Sequence, residues 1–419
     1  MTSSLSRSAV SRTGRLPLLL GAMLAFNTVG YIAITASVSI LLPTQVAAAD
    51  PAGKLGAFGL VTGISAIASV CVPPIVGAWS DRTRGRWGRR SPWFLAGGIT
   101  AAASLVLLGS VSTVTGLLIG WFLVQGTVNI GLNIVLAVVA DRVPARRLGL
   151  ASTLNGLGIP IGGGIGVWLG AALSGSIFLA YCLLGAVFLV GSLVMALVAR
   201  ESTDAGTPAP AARSGGSIRA EIAGALASLR TRDYAWAFAA RAVMFLGYFT
   251  ASSFSLYALT DYIRLPAGLA PAAATATSTT LTTGCLVVGM LIMGPLADRL
   301  DRRKLFVLLS SLLITVATVL PLVSPTWDAQ LASAVLSGIG FGTYLSVDQA
   351  LVTLVLPAAD GAGRDLGVFH IALNAPQVVA PFAAAFVVSG LGGYPALYAV
   401  GGLLALAGSL LVVPIRSVR

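Results

Sequence analysis

The sequence predicts an all-α membrane protein with twelve transmembrane helices, arranged as two six-helix bundles. Three observations predict it: the composition, the number of long apolar stretches and the placement of the basic residues. Of 419 residues, 56% are apolar and 10% are charged, and the mean hydropathy is +0.92. A soluble protein usually carries about 25% charged residues. So few charges cannot cover a water-facing surface, which all but excludes a soluble enzyme.

Twelve apolar stretches are long enough for membrane spans, which need about 20 apolar residues each. Glycine and proline interrupt several of them, and membrane helices tolerate such breaks where neighbours satisfy the freed backbone groups. The first stretch is too long for the 7–15-residue core of a cleaved leader, so we interpret it as a span. The spans cover residues 16–42, 55–79, 93–111, 114–140, 149–173, 177–199, 235–262, 275–297, 305–323, 328–356, 366–388 and 394–414.

The basic residues predict the orientation of these spans. Nearly all of the 26 lysines and arginines fall in alternate loops, which is typical of cytoplasmic loops. Lys54 and Arg264 lie in the opposite loops, and Arg241 lies inside a span. We therefore expect both termini in the cytoplasm. We also expect the net charge of +12 to face anionic membrane lipids rather than nucleic acid.

A polar segment at 201–233 separates two similar halves, 1–200 and 234–419. Part of this cytoplasmic linker has apolar residues at helical spacing, which predicts either an amphipathic helix on the membrane surface or a plain spacer. Gly77 and Gly294 are 217 residues apart, and so are Asp81 and Asp298. Both halves start on the same side, so the sequence predicts a parallel repeat with a binding site between the halves.

The inner loops carry a family resemblance. GAWSDRTRGRWGRRSPW follows the second span, GPLADRLDRRK follows the eighth, and ADRVPARRLG follows the fourth. These loops resemble those of the major facilitator superfamily. The long first loop is similar to those of glycoside–pentoside–hexuronide and sucrose-type symporters. The resemblance implies that gating of the outward-open state involves Gly77, Asp81, Arg82 and Arg90, with Asp298 and Arg299 as their counterparts in the second half.

Physical arguments agree with this gating role. A carboxylate at the inner mouth of a helix can hold an arginine by charge-assisted hydrogen bonds, and Gly77 would let helices approach closely. The alternative is that the loops only set the topology.

Charged groups inside a membrane cost about 3 kcal/mol or more, so each is a functional candidate. Asp348 and Arg241 lie at similar depths in the tenth and seventh spans, and His370 lies in the eleventh. We expect Asp348 to couple transport to protons, with Arg241 pairing to it in one state and releasing it in another. A fixed structural ion pair is the alternative. For His370 we weigh a proton or substrate role against a hydrogen-bonded interface residue.

Neutral polar residues inside the spans are candidates for contacts with a polar solute. The alternative for each is a hydrogen bond between helices. These substrate-binding candidates are Asn27, Asn129, Asn133, Tyr344, Gln349 and Asn374.

Together these features predict a secondary active transporter rather than an enzyme. It would move a small organic solute, with a sugar or glycoside slightly favoured, by proton-coupled symport and alternating access. A proton-driven drug or metabolite efflux pump and a non-transporting membrane sensor or scaffold are the alternatives. We expect no cofactor, no metal and a monomer. The excess of arginine over lysine, with abundant alanine and glycine, favours a bacterial cytoplasmic (inner) membrane.

Overall fold

The computed structural model describes residues 16–83, 87–200, 231–300, 302–355 and 362–415. These ranges are almost entirely helical, with one isolated β-bridge between Arg264 and Thr326. The first six helices are α1 (Leu16–Ala49), α2 (Lys54–Arg82), α3 (Ser91–Ser110), α4 (Val114–Arg142), α5 (Leu148–Ala172) and α6 (Ile177–Val198). The next six are α7 (Arg232–Ser252 and Ser255–Asp261), α8 (Pro271–Leu300), α9 (Arg303–Val323), α10 (Trp327–Val355), α11 (Ala362–Gly390) and α12 (Gly393–Leu410).

The number of membrane spans agrees with the prediction. Within the described ranges, eleven helices are long and apolar enough to cross a membrane, and the bent helix α7 makes a twelfth when its two parts count as one span. Large apolar side chains such as Leu197, Leu291 and Val323 are among the most exposed, as expected of surfaces that face lipid. The predicted amphipathic helix of the linker lies in 201–230, outside the described residues.

Helix α7 departs from the straight span that the sequence predicts. It bends by 41° between Ser252 and Ser255. Two serines at the bend donate hydrogen bonds back to the preceding turn. Ser252 binds the Tyr248 carbonyl at 2.9 Å and Ser253 binds the Phe249 carbonyl at 2.5 Å. Such bonds compete with the backbone ladder and often bend helices.

The chain forms two compact units. The first comprises Met1–Ala52 and Ile64–Ala205, and the second comprises Gly53–Gly63 and Gly206–Arg419. Helix α2 thus begins in the second unit and continues in the first.

The same packing pattern occurs in both units. In the first, α1 packs on α5 and α6, and α3 packs on α4 and α6. In the second, α7 packs on α11 and α12, and α9 packs on α10 and α12. Adding six to each helix number of the first pattern gives the second, as the predicted repeat requires.

Glycines allow α5 to lie directly against α1. A Cβ atom at Gly166 would approach the Ile32 carbonyl oxygen to 2.6 Å, and one at Gly170 would lie 3.0 Å from the Ala36 oxygen. The glycine-rich run in this helix therefore serves close helix packing, as the sequence predicted.

Helix α1 contains a widened turn. Ser37–Leu41 forms a π-helical segment between two α-helical parts. Beyond it, the side-chain amide of Gln45 donates a hydrogen bond of 3.0 Å to the carbonyl of Leu108, near the end of α3. The widened turn therefore precedes a polar contact with a neighbouring helix of the same unit.

Candidate functional site

Buried charges are the clearest candidates for function. Among the side chains that the structure describes, the buried charged ones are Arg90, Arg241 and Asp348. Arg90 belongs to the first unit, and the other two belong to the second.

Arg241 and Asp348 form an ion pair within the second unit. Arg241 comes from α7 and Asp348 from α10. Nη1 of Arg241 lies 3.3 Å from Oδ2 of Asp348, and the exposed fractions of the two side chains are 2% and 6%. The structure thus brings together two groups that the sequence placed at a similar depth.

Each member of the pair has a further partner. The hydroxyl of Tyr344, one turn before Asp348 on α10, donates a hydrogen bond to the Asp348 carboxylate. The guanidinium carbon of Arg241 lies 5.7 Å from the centre of the Phe245 ring, within reach of a cation–π contact. The rings of Phe245 and Tyr344 meet edge to face at 5.7 Å. The polar pair is therefore held in place by aromatic side chains.

The surroundings of the pair are apolar. Phe245, Tyr344 and Phe341 belong to one hydrophobic cluster, and Phe341 stacks on Tyr248 with ring centres 4.0 Å apart. Electrostatic interactions are stronger in such a water-poor environment. A proton on Asp348 would leave Arg241 without an opposing charge. Proton binding would therefore change the net charge of this site, which is the chemistry that a proton-coupling site requires.

Three further residues predicted for this region contribute less. His370 and Gln349 lie on α11 and α10, but their side chains are outside the described part of the structure. Asn374 on α11 is partly buried. In the described ranges, no three His, Cys, Asp or Glu side chains are grouped so as to hold a metal ion.

Arg90 is the centre of a polar cluster in the first unit. It lies just before α3, and its side chain is 6% exposed. Nη2 lies 2.8 Å from Oδ1 of Asp81, and Nε donates to Oδ2 of Asp141 at 3.1 Å. Nη1 donates a short hydrogen bond to the hydroxyl of Ser80. Arg89 adds a second contact, with its Nη2 2.6 Å from the same Asp141 oxygen.

This cluster connects the inner ends of three helices. Ser80 and Asp81 are in the last turn of α2, Asp141 is in the last turn of α4, and Arg90 precedes α3. Sequence analysis found Asp81 and Arg90 but missed Ser80 and Asp141. The motif ADR at the end of the fourth span contains Asp141 and was the available signal.

The other predicted gating residues are less engaged. Arg82 and Arg299 are exposed, and the side chain of Asp298 lies outside what the structure describes. The expectation that Gly77 permits close helix packing is wrong for this structure, because a Cβ there would meet no described atom within 4 Å. A Cβ at Gly294 would approach that of Ser346 to 3.2 Å. Close packing at this position therefore occurs in the second half of the repeat.

Asn27 makes a polar contact inside the first unit. It is buried, and its amide donates to the Met23 carbonyl at 3.1 Å. The same amide donates a short hydrogen bond to the side-chain oxygen of Asn155 on α5. This contact fits the alternative of a hydrogen bond between helices.

Asn129 and Asn133 share one face of α4. Each amide donates to the carbonyl four residues earlier, at 2.7 Å to Gln125 and 2.8 Å to Asn129. Both side chains are partly buried. They therefore form a polar strip on one helix.

A third polar cluster, which sequence analysis missed, lies in the second unit. Lys54, at the start of α2, pairs with Oδ2 of Asp261 at 2.7 Å, and the hydroxyl of Tyr394 donates to the same oxygen at 2.8 Å. The Lys54 amine also lies 5.3 Å from the centre of the Tyr257 ring. Lys54 and Asp261 are 24% and 31% exposed, so this pair is much better hydrated than the Arg241–Asp348 pair.

Comparison with known proteins gives a consistent result. The sequence model of one family, the Major Facilitator Superfamily, matches residues 18–285 and 254–419. A search of curated proteins found no significant match.

Three solved structures illustrate the structural likeness. A bacterial homologue of the human lysosomal transporter Spinster, inward-facing and unoccupied, is 15% identical with a TM-score of 0.71, covering 95% of this chain and 94% of that one. The nucleoside transporter NupG is 13% identical with a TM-score of 0.76, covering 95% and 99%. A peptide transporter POT in complex with alafosfalin is 14% identical with a TM-score of 0.74, covering 94% and 93%. At these identities the likeness concerns the fold alone.

Proposed function

Because this chain belongs to the major facilitator superfamily, it is a multi-pass membrane transporter and not an enzyme, and we propose that it is a proton-coupled secondary transporter of a small organic solute. The observation that carries the proposal is the buried pair of Arg241 and Asp348. Ionisable groups at membrane depth are costly and typically mark ion or substrate pathways.

In this proposal Asp348 carries the proton. While ionised, it is balanced by Arg241 at 3.3 Å and by the hydroxyl of Tyr344. Protonation removes the negative charge and loosens the contact between α7 and α10. A change of pairing between two such helices is the kind of discrete switch that alternating access needs. His370, on α11, is proposed as a further member of the proton path.

We propose that the Arg90 cluster acts in gating. Arg90 holds Asp81, Asp141 and Ser80 together at the inner ends of α2, α3 and α4. Charge-assisted hydrogen bonds of this kind are strong and directional. The cluster is therefore suited to keep one arrangement of these helix ends. Gly77 and Arg82, with Asp298 and Arg299 in the second half, complete the proposed gating set.

For the solute, we propose a sugar or glycoside first, on the strength of the long loop after α2. Polar groups suited to such a solute are the amides of Asn129 and Asn133 on one face of α4. Asn27, Tyr344, Gln349 and Asn374 remain proposed contacts. Export of a drug or metabolite is the second candidate, favoured by the apolar cluster around the single buried acid.

The remaining features of the proposal concern placement in the cell. We propose a bacterial inner membrane, both termini in the cytoplasm and a monomer whose basic inner loops contact anionic lipids. The domains proposed are 1–200 and 234–419, joined by the linker 201–233.

Transport by purified protein in vesicles tests this function. A pH gradient is imposed in either direction, and uptake of sugars and glycosides is compared with that of apolar drugs. We expect Asp348→Asn to abolish gradient-driven accumulation and to leave counterflow exchange, which needs no net proton movement. Asp328→Asn is the matched control, because Asp328 is an exposed acid at the start of the same helix.

Full gradient-driven accumulation by Asp348→Asn would refute the coupling role. Absence of transport of every solute in both directions would favour a sensor or scaffold.

A further inference from the structure

We propose that the guanidinium of Arg241 is a carboxylate-binding site, which Asp348 occupies when it is ionised and which a carboxylate of the transported solute occupies when Asp348 is protonated. The inference rests on the proposed function, since it takes Asp348 as the proton carrier. It narrows the substrate class to small organic anions, including acidic sugars.

The geometry of the pair is the first argument. Nη1 of Arg241 stands 3.3 Å from Oδ2 of Asp348, whereas a strong charge-assisted hydrogen bond measures about 2.7–2.9 Å. The planar guanidinium fork matches a carboxylate with two parallel bonds. The contact between Nη1 and Oδ2 is an ion pair of moderate length. A second carboxylate with free choice of approach can therefore compete with Asp348 once the charge of Asp348 is removed.

Charge balance is the second argument. An arginine guanidinium keeps its charge in proteins, and Arg241 is 2% exposed. Protonation of Asp348 therefore leaves a cation in an apolar cluster, with the face of Phe245 as a partial substitute for the lost charge. Removing one partner of a buried ion pair is strongly destabilising. An arriving carboxylate restores neutrality, so the proton and the solute anion stabilise each other's binding.

The neighbouring charges allow this exchange. The groups that act electrostatically on Asp348 are Arg241 from α7 and Tyr344 from its own helix. The other described charges on α7 and on the helices packed against α10 lie at helix ends, at Arg232, Asp233, Arg299, Arg303 and Lys304. With one proton and one monovalent anion moving together, the loaded site has the same net charge as the empty one.

Binding of acetate to the purified protein tests the proposal without knowledge of the natural solute. Asp348→Asn mimics the protonated acid. We expect sodium acetate at about 0.1 M to raise the melting temperature of Asp348→Asn by roughly 2 °C or more above the effect of equal sodium chloride. In the double variant Asp348→Asn/Arg241→Gln, we expect acetate and chloride to act equally.

Equal effects of acetate and chloride on Asp348→Asn would overturn the carboxylate site. If that variant does not fold, the wild-type protein provides the measurement, since acetate should stabilise it more at about pH 5.5 than at about pH 8. An acetate effect that is the same at both pH values would also overturn the site.

The outcome is separable from that of the proposed function. Loss of the acetate effect with intact proton-driven transport rejects only the carboxylate site, whereas unchanged transport by Asp348→Asn rejects only the coupling role.

Discussion

The Nε atom of Arg90 donates a hydrogen bond of 3.1 Å to Oδ2 of Asp141, which ties the start of α3 to the inner end of α4. The two carboxylates around Arg90 differ in exposure, 23% for Asp141 and 58% for Asp81. Ion pairs of exposed groups contribute little to stability, whereas less exposed ones contribute more.

This difference predicts unequal effects of two matched substitutions. We expect Asp141→Asn to lower the free energy of unfolding by about 1–2 kcal/mol and Asp81→Asn by less than about 1 kcal/mol. Unfolding of the purified protein in detergent measures both values. An equal or larger loss for Asp81→Asn would show that the buried side of the cluster is not the stronger one.

The contact between α5 and α1 predicts a position-dependent effect of added volume. Gly166→Val places a side chain against the Ile32 carbonyl of α1 and should destabilise the protein by about 1–3 kcal/mol. Gly164→Val is the control, because a Cβ at Gly164 meets no described atom within 4 Å. Thermal unfolding in detergent gives the comparison. Similar melting temperatures for the two variants would contradict the packing interpretation.

The Asn27–Asn155 hydrogen bond allows a structural role to be separated from a role in substrate binding. Hydrogen bonds between membrane helices contribute about 0.6 kcal/mol on average. We therefore expect Asn27→Ala and Asn155→Ala to cost a similar, small amount of stability. If Asn27 also contacts the solute, Asn27→Ala should raise the KM for transport while Asn155→Ala does not. Equal KM values for both variants would leave Asn27 with the structural role alone.

The pair of Lys54 and Asp261 should respond to salt. Both side chains are partly hydrated, so a double-mutant cycle with Lys54→Gln and Asp261→Asn should give a coupling energy of about 0.2–1 kcal/mol. Screening should reduce it in about 1 M salt. Tyr394→Phe, which removes the hydroxyl bound to Asp261, provides a salt-insensitive comparison. A coupling energy unchanged by salt would contradict this picture of a hydrated pair.

Sequence reasoning located the helices well for a simple physical reason. Any segment that crosses the hydrocarbon needs about 20 apolar residues, and such runs are visible without knowledge of packing. The bend in α7 was missed, because Ser252 and Ser253 leave the run apolar while their hydroxyls bind the backbone.

The candidate sites were predictable to different degrees. Arg241 and Asp348 stand out, because a charge inside an apolar run is rare and their depths can be counted from the helix ends. Asp141 and Asp261 lie at helix ends, where charged residues are ordinary, so the sequence gives no reason to single them out. Their partners, Arg90 and Lys54, are distant along the chain and become neighbours only through the fold.

The widened turn Ser37–Leu41 determines which way the outer part of α1 faces. A regular α-helix advances by about 100° per residue, and a π-turn holds about one residue more than an α-turn. Deleting one residue there would restore a uniform helix and swing Gln45 about 100° away from the Leu108 carbonyl that it now binds. The extra residue thus sets the rotational phase of everything in α1 that follows it, and the first membrane crossing cannot be shortened at this point without turning its far end.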